Sequence, residues 1–298
     1  MKILIAEDEP VSRHLLDATL VRLGHEVVAV DDGPEAIRTL LAPDGPRIAI
    51  LDWMMPGVDG LEVCRAIRQR PAPYTYTILL TSRDRRDDMV QALDAGADDF
   101  LTKPCDPVEL RVRLRSGERV IALQQHLLDA HEALRFEAAH DRLTGLWNRG
   151  SILDQLAREL SRSTRQKGPL AVLLADLDHF KRINDAYGHA AGDAVLREVG
   201  IRMRHVLRAY DSIGRYGGEE FLVVLPGANT SAATDVAERV VAAVRAQPVQ
   251  DGSRVVCATA SVGAASTDSA GFDPDALIRA ADRALYEAKA LGRDRVVG

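Results

Sequence analysis

The sequence predicts an α/β protein made of a doubly wound parallel sheet, a long helical connector and a second α/β unit. Three observations predict it. From Lys2 to about Pro107, short apolar runs alternate with amphipathic helical stretches, the pattern of a parallel sheet covered on both faces. Residues 106–140 contain no proline after Pro107 and only one glycine, Gly117, so one long helix or two nearly continuous helices follow. Past residue 141 a buried strand, helix starts and a glycine hairpin resume. The expected boundaries are 1–120 for the first domain, 106–140 for a connector overlapping its last helix, and 141–298 for the second domain.

At 298 residues and 46% hydrophobic content, the chain can bury two cores. A net charge of -6 argues against a general nucleic-acid or anionic-membrane surface but leaves room for a local cationic pocket. No apolar run approaches the roughly 20 residues of a membrane span. The start, Met1-Lys2-Ile3-Leu4-Ile5-Ala6-Glu7-Asp8, turns acidic too early for a signal peptide. The expectation is a cytoplasmic protein with no nucleic-acid partner and no membrane insertion. Cys64, Cys105 and Cys257 show no metal or disulfide spacing and read as buried small apolar residues.

In the first domain, strands are expected at Lys2–Ala6, Val27–Val30, Ile48–Leu51, Ile78–Thr81 and Asp98–Leu101. Glu7 and Asp8 follow the first, Asp52 the third, Thr81 and Ser82 close the fourth, and Lys103-Pro104 follows the fifth. Taken singly, Asp8 and Asp52 fit as helix caps and Lys103 as a solvated loop lysine. Together they line the crevice at the carboxyl ends of an open sheet, where clustered carboxylates need a hard cation such as Mg²⁺. Glu7-Asp8, Asp52, Pro56-Gly57, Asp59-Gly60, Thr81, Phe100 and Lys103-Pro104 resemble the receiver domain of two-component response regulators, a flavodoxin-like fold. The resemblance implies that Asp52 accepts a phosphoryl group from a cognate histidine kinase or phosphotransfer protein. It further implies that Glu7, Asp8 and Asp52 bind Mg²⁺ with the Met54 carbonyl, that Thr81 and Lys103 contact the phosphoryl oxygens, and that Phe100 is the switch aromatic.

In the connector, Leu114, Ile121 and Leu128 recur at sevens, with Leu110, Leu123, Leu127 and Leu134 near the same side. This reads either as a short coiled-coil seam or as a helix packed on its own domain.

The second domain opens at Asp141-Arg142-Leu143-Thr144-Gly145-Leu146-Trp147-Asn148-Arg149. It continues with the strand Leu170–Ala175, ending in Asp176-Leu177-Asp178, and then Phe180-Lys181-Arg182-Ile183-Asn184-Asp185 and Gly188-His189-Ala190-Ala191-Gly192-Asp193. Gly217-Gly218-Glu219-Glu220-Phe221 reads as a hairpin whose two glutamates point to opposite faces of the second strand. Singly, such residues are caps or solvated charges. The ordered set resembles the GGDEF domain of diguanylate cyclases, an α/β fold related to nucleotidyl cyclases. That resemblance implies Mg²⁺, with Mn²⁺ able to replace it, on Asp176, the Leu177 carbonyl and Glu219, with Glu220 assisting. It implies guanine read by Asn184 and Asp193, His189 beside sugar or base, and the triphosphate held by Lys181, Lys289 and Arg293.

The reaction implied is condensation of two GTP molecules into cyclic di-GMP and two pyrophosphates, with Glu219 as base. Each domain holds one GTP, so an active homodimer is implied, brought together by phosphorylation of Asp52. Arg208-Ala209-Tyr210-Asp211 stands where the family has its inhibitory product site, with Arg239 as a second contact; singly it reads as a surface ion pair. The alternative is a non-catalytic receptor for GTP or cyclic di-GMP that signals by contact, whose usual mark is a damaged signature. Asp193 argues against other cyclic dinucleotides, and no helix-turn-helix or phosphodiesterase-like segment is present.

Overall fold

The structure is a computed structural model that describes residues 1–69, 73–82, 86–252 and 254–298, with only the backbone of 86–89. The chain divides into two compact units, Met1–His131 and Glu132–Gly298.

The first unit runs β1 (Lys2–Ala6), α1 (Pro10–Arg22), β2 (Glu26–Val30), α2 (Gly33–Leu40), β3 (Ile48–Asp52), α3 (Gly60–Arg68), β4 (Tyr76–Thr81), α4 (Arg86–Asp94), β5 (Asp99–Thr102) and α5 (Pro107–Ala139), the last turns of α5 belonging to the second unit. The five strands are all parallel in the order β2-β1-β3-β4-β5. Strand alternation explains the double winding. Ile3, Ile5, Ile48, Ile50, Ile78 and Leu80 face Leu16 and Leu20 of α1 and Leu110 and Leu114 of α5. Leu4, Ala6, Ala49, Leu51 and Leu79 face α2 and α3 through Ala36, Leu40, Val63 and Ile67. Side chains at the helix starts fix where the helices begin: Glu9 accepts from the Val11 and Ser12 amides, and Asp59 forms a capping box with Glu62.

In the connector the heptad positions do not share one environment. Leu110, Leu114 and Ile121 are buried in the first unit's own core, and Gly117 lies where a Cβ would come 2.6 Å from Tyr76 Cδ1. Leu123, Leu127, Leu128 and Leu134 are exposed. The heptad therefore divides: its first half is intradomain packing, and only the second half faces solvent. Of the three cysteines, only Cys64 is buried; Cys105 is half-buried and Cys257 exposed.

The second unit continues with α6 (Arg149–Gln166), β6 (Leu170–Leu177), α7 (Phe180–Tyr187), α8 (His189–Val206), β7 (Ser212–Gly217), β8 (Glu220–Pro226), α9 (Thr230–Arg245), β9 (Val249–Asp251), β10 (Arg254–Val256), β11 (Ala260–Ser266), α10 (Thr267–Ala270), α11 (Pro274–Ala290) and β12 (Val296–Val297). The main sheet is β12-β11-β6-β8-β7, and β6 pairs antiparallel with both neighbours. Leu170, Val172, Leu174, Leu222 and Val224 face α6 and α11, whereas Ala171, Leu173, Ala175, Phe221 and Val223 face α8 and α9. At Gly263 a Cβ would lie 2.0 Å from the Ala281 carbonyl oxygen, so α11 rests directly on the β11 backbone.

Asn148 joins the last turn of α5 to α6. Its Oδ1 accepts from the Ser151 amide at the start of α6, while its amide and Nδ2 donate to the Ala139 and Ala138 carbonyls at the end of α5. No helix among the described residues is long and apolar enough to cross a membrane.

Candidate functional site

In the first unit the parallel topology brings the expected residues to one end of the sheet. Glu7, Asp8 and Asp52 offer carboxylate oxygens all within 4.8 Å of one another. Lys103 Nζ lies 2.6 Å from Glu7 Oε2 and 3.0 Å from Asp52 Oδ2, bridging two carboxylates that are 0% and 7% exposed. Burial pushes the Glu7 carboxyl up; the Lys103 hydrogen bond opposes it and the Asp52 charge adds to it. Burial disfavours the charged Lys103, yet its bonds to Glu7 and Asp52 hold its pKa above the usual lysine value. Asp52, Met54, Thr81 and Lys103 line a cavity of about 110 Å³, together with Trp53 and Ser82. Thr81 is buried, Asp8 and Met54 are exposed, and Phe100 is half-buried against the α2–α3 side of the core. The hard oxygen donors of this cluster fit Mg²⁺.

In the second unit the site forms at the end of β6. Alternation puts Asp176 on the same face as Val172 and Leu174, toward α11, and strand register sets it opposite Glu220 on β8. Lys289, at the end of α11, reaches Asp176 Oδ2 at 2.9 Å. Gly218 turns the hairpin with φ +49°, and the Glu219 carbonyl accepts from the Leu177 amide at 3.3 Å. Burial raises the Asp176 carboxyl; Lys289 opposes this, while Glu219 and Asp178 reinforce it. Burial likewise raises Glu220, with the charge of Asp176 adding to it. The group is short of positive charge, with oxygen donors suited to a hard divalent ion, and Asp176, the Leu177 carbonyl and Glu219 are the residues that would hold it.

Asn184 on α7 and Asp193 on α8 come from two helices that meet at Gly188, whose φ is +86°. The Asn184 amide lies over Gly192, where a Cβ would come 1.9 Å from Asn184 Oδ1. Lys181 and His189 are exposed, with no side-chain hydrogen bond among the described residues. Arg293 follows α11 in a left-handed turn with φ +63°. Arg208 and Asp211 share one tight turn: Asp211 is 4% exposed, its Oδ2 accepts from the Arg208 amide, and the Arg208 guanidinium is directed to Tyr210. Asp211 thus shapes the turn rather than standing open beside Arg208. Arg239 is exposed on α9.

Two further linkages join segments far apart in the chain. Arg215 joins Asp141 to the Gly218 carbonyl, and Asp178 holds the turn after α11. The two-residue spacing of Asp176 and Asp178 was the available sign that both share a face.

Comparison with known proteins agrees with this architecture. The family "Diguanylate cyclase, GGDEF domain" matches residues 138–295, and "Response regulator receiver domain" matches residues 3–115. The response regulator PleD of Caulobacter vibrioides is 35% identical over 301 aligned positions, covering 100% of this chain and 65% of the relative. The diguanylate cyclase SiaD of Pseudomonas aeruginosa, crystallised with its activator SiaC, aligns with TM-score 0.53 and 39% identity, over 63% of this chain and 72% of that one. The coiled coil and GGDEF domain of DgcB from Caulobacter crescentus, in complex with c-di-GMP, aligns with TM-score 0.55 and 30% identity, over 64% of this chain and 99% of that one. The chain belongs to the GGDEF domain family and carries a response-regulator receiver domain ahead of its GGDEF domain.

Proposed function

We propose that the chain is a response-regulator diguanylate cyclase that condenses two GTP molecules into cyclic di-GMP and two pyrophosphates. The observation that carries this reading is the grouping of Asp176, Glu219, Glu220 and Lys289 beside the glycine turn. The intact set argues against a purely receptor role.

Asn184 and Asp193 present an amide and an acceptor carboxylate to the guanine edge, with His189 beside the sugar or base. Lys181, Lys289 and Arg293 balance the triphosphate charge; on nucleotide binding Lys289 exchanges Asp176 for phosphate oxygens. Bound Mg²⁺, or Mn²⁺ in its place, would supply charge neutralisation at the phosphates and a more acidic 3′-hydroxyl. Glu219 takes the proton from that hydroxyl, with Glu220 assisting. The 3′ oxygen forms a bond to the α-phosphorus of the opposite nucleotide, and pyrophosphate leaves with the electron pair of the broken α–β bridge. One nucleotide per domain requires two copies facing each other, and a two-fold symmetric product suits a two-fold homodimer.

The receiver supplies the control. A histidine kinase or phosphotransfer protein phosphorylates Asp52, Lys103 and Thr81 hold the phosphoryl oxygens, and Phe100 responds. The exposed α5 positions Val120, Leu123, Leu127 and Leu134, spaced by three, four and seven, give a second copy an apolar stripe to cover. Cyclic di-GMP acts back through Arg208 and Arg239, with Asp211 fixing the turn.

The test is GTP turnover with Mg²⁺ by product-free protein, with and without beryllofluoride. Cyclic di-GMP formation that rises with beryllofluoride supports both halves. Nucleotide binding without product in either state would replace this reading with the receptor.

A further inference from the structure

Asp178 lies one residue past β6 and is 5% exposed, yet the proposed chemistry does not use it. Its carboxylate is filled by three donors from two other segments. Oδ1 accepts from Ser261 Oγ at 2.7 Å, and Oδ2 accepts from Thr259 Oγ1 at 2.8 Å and from the Asp294 amide at 3.1 Å. A buried carboxylate persists only when donors replace its lost water.

The Asp294 donor is the informative one. Arg293 and Asp294 are successive left-handed residues, φ +63° and +47°, a conformation disfavoured for residues with side chains. Such a turn persists only if its surroundings hold it. Asp178 holds it from within through the Asp294 amide, and Arg245 holds it from outside, Nη1 lying 3.2 Å from Asp294 Oδ2. Asp176 and Asp178 share one face at the strand end; the first takes Lys289 and the second takes the turn five residues later. The last helix-and-turn segment is therefore gripped at two points by one strand end.

We propose that Asp178 is a positioning residue that fixes the left-handed Arg293-Asp294 turn against the end of β6 and so places Arg293 for the triphosphate. This rests on reading the Asp176 site as a nucleotide site. Asp178 acts on the phosphate end of the ligand and leaves the base end, carried by α7 and α8, untouched.

The experiment titrates the full-length, product-free protein with guanosine and, in the presence of Mg²⁺, with a non-hydrolysable GTP analogue. The variants are Asp178→Ala, Asp178→Glu, Asp178→Asn, Arg293→Ala and Asp178→Ala/Arg293→Ala. Asp178→Ala should weaken the GTP analogue about tenfold or more while guanosine affinity stays within about twofold. Asp178→Asn, which keeps an oxygen for the Asp294 amide, should recover most of the loss. Arg293→Ala should match Asp178→Ala, and the double variant should be no weaker than Arg293→Ala alone. If Asp178→Ala does not fold, Asp178→Glu, whose carboxylate is displaced by one methylene, should show the same split. Parallel losses for guanosine and the GTP analogue, or full additivity with Arg293→Ala, would overturn the proposal. A wild type that binds the analogue and an Asp178→Ala variant indistinguishable from it would sink this inference alone. A wild type that binds no analogue would remove the nucleotide reading and this inference with it.

Discussion

Arg215 grips Asp141 through Nη1, 3.2 Å from Oδ2 and 3.4 Å from Oδ1, while its Nε donates to the Gly218 carbonyl at 2.8 Å. One guanidinium thus ties the segment that opens the second unit to the glycine turn of its site. Asp141 also accepts from the Thr144 amide and hydroxyl. Burial alone would raise the Asp141 carboxyl, but Thr144 and Arg215 outweigh it and hold it below the usual carboxylate range.

A depressed carboxyl stabilises the fold above its unfolded value, near 3.8, and that contribution is lost as pH falls through the lower folded value. Asp141→Asn should therefore flatten the acid limb of stability below about pH 4, where the unfolded carboxyl takes up its proton before the folded one does. At neutral pH, Asp141→Ala should destabilise by about 1–3 kcal/mol, because donors near it lose their acceptor. Urea melts at stepped pH values check both; an unchanged acid limb in Asp141→Asn would contradict the assignment.

Removing the cation between Glu7 and Asp52 should expose their repulsion. Lys103→Met is expected to destabilise the first unit by about 2–3 kcal/mol without divalent ions, less than for a fully buried pair because Lys103 is partly exposed. Added Mg²⁺ should restore much of the loss, since the same carboxylates are the ion's expected ligands. Thermal melts across a MgCl₂ titration give the comparison, and equal Mg²⁺ responses in wild type and variant would count against it.

Gly192→Ala sets two effects against each other. Alanine favours a helix interior by up to about 1 kcal/mol over glycine, but its Cβ would fall 1.9 Å from Asn184 Oδ1. The side-chain amide must swing away, so affinity for a GTP analogue should drop about tenfold, or 1.4 kcal/mol, while the melting temperature changes little. Binding calorimetry beside a thermal melt separates the two, and unaltered affinity would show that Asn184 does not read the base.

Gly117→Leu should lower first-unit stability by about 1–3 kcal/mol, because the Tyr76 ring occupies the space it needs. Leu123→Ala, at an exposed position of the same helix, should by contrast change stability little. Chemical denaturation of Gly117→Leu checks the burial of this stretch of α5.

What the sequence made legible was whatever repeats locally. The strand-end carboxylates of the first unit stood out because parallel topology sends every strand end to the same edge, so Glu7, Asp52 and Lys103 had to meet. The glycine hairpin was equally plain. The divided heptad in α5 was not, because Leu114 and Leu127 look alike until the position of the sheet is known. Nor were Asp141 with Arg215, 74 residues apart, or Asp178 with Asp294, 116 residues apart. Such pairs follow from how strands order themselves in space, which no local period encodes.

The double role of Asn148 bears on how the stretch from Ala138 to Ser151 moves. A chain that caps one helix end with its amides and the next helix start with its side-chain oxygen has no slack to take up. Residues 140–147 are thus pinned at both ends as an elbow rather than left as a tether, and the Trp147 amide on the Ile213 carbonyl fastens the same stretch to the sheet edge.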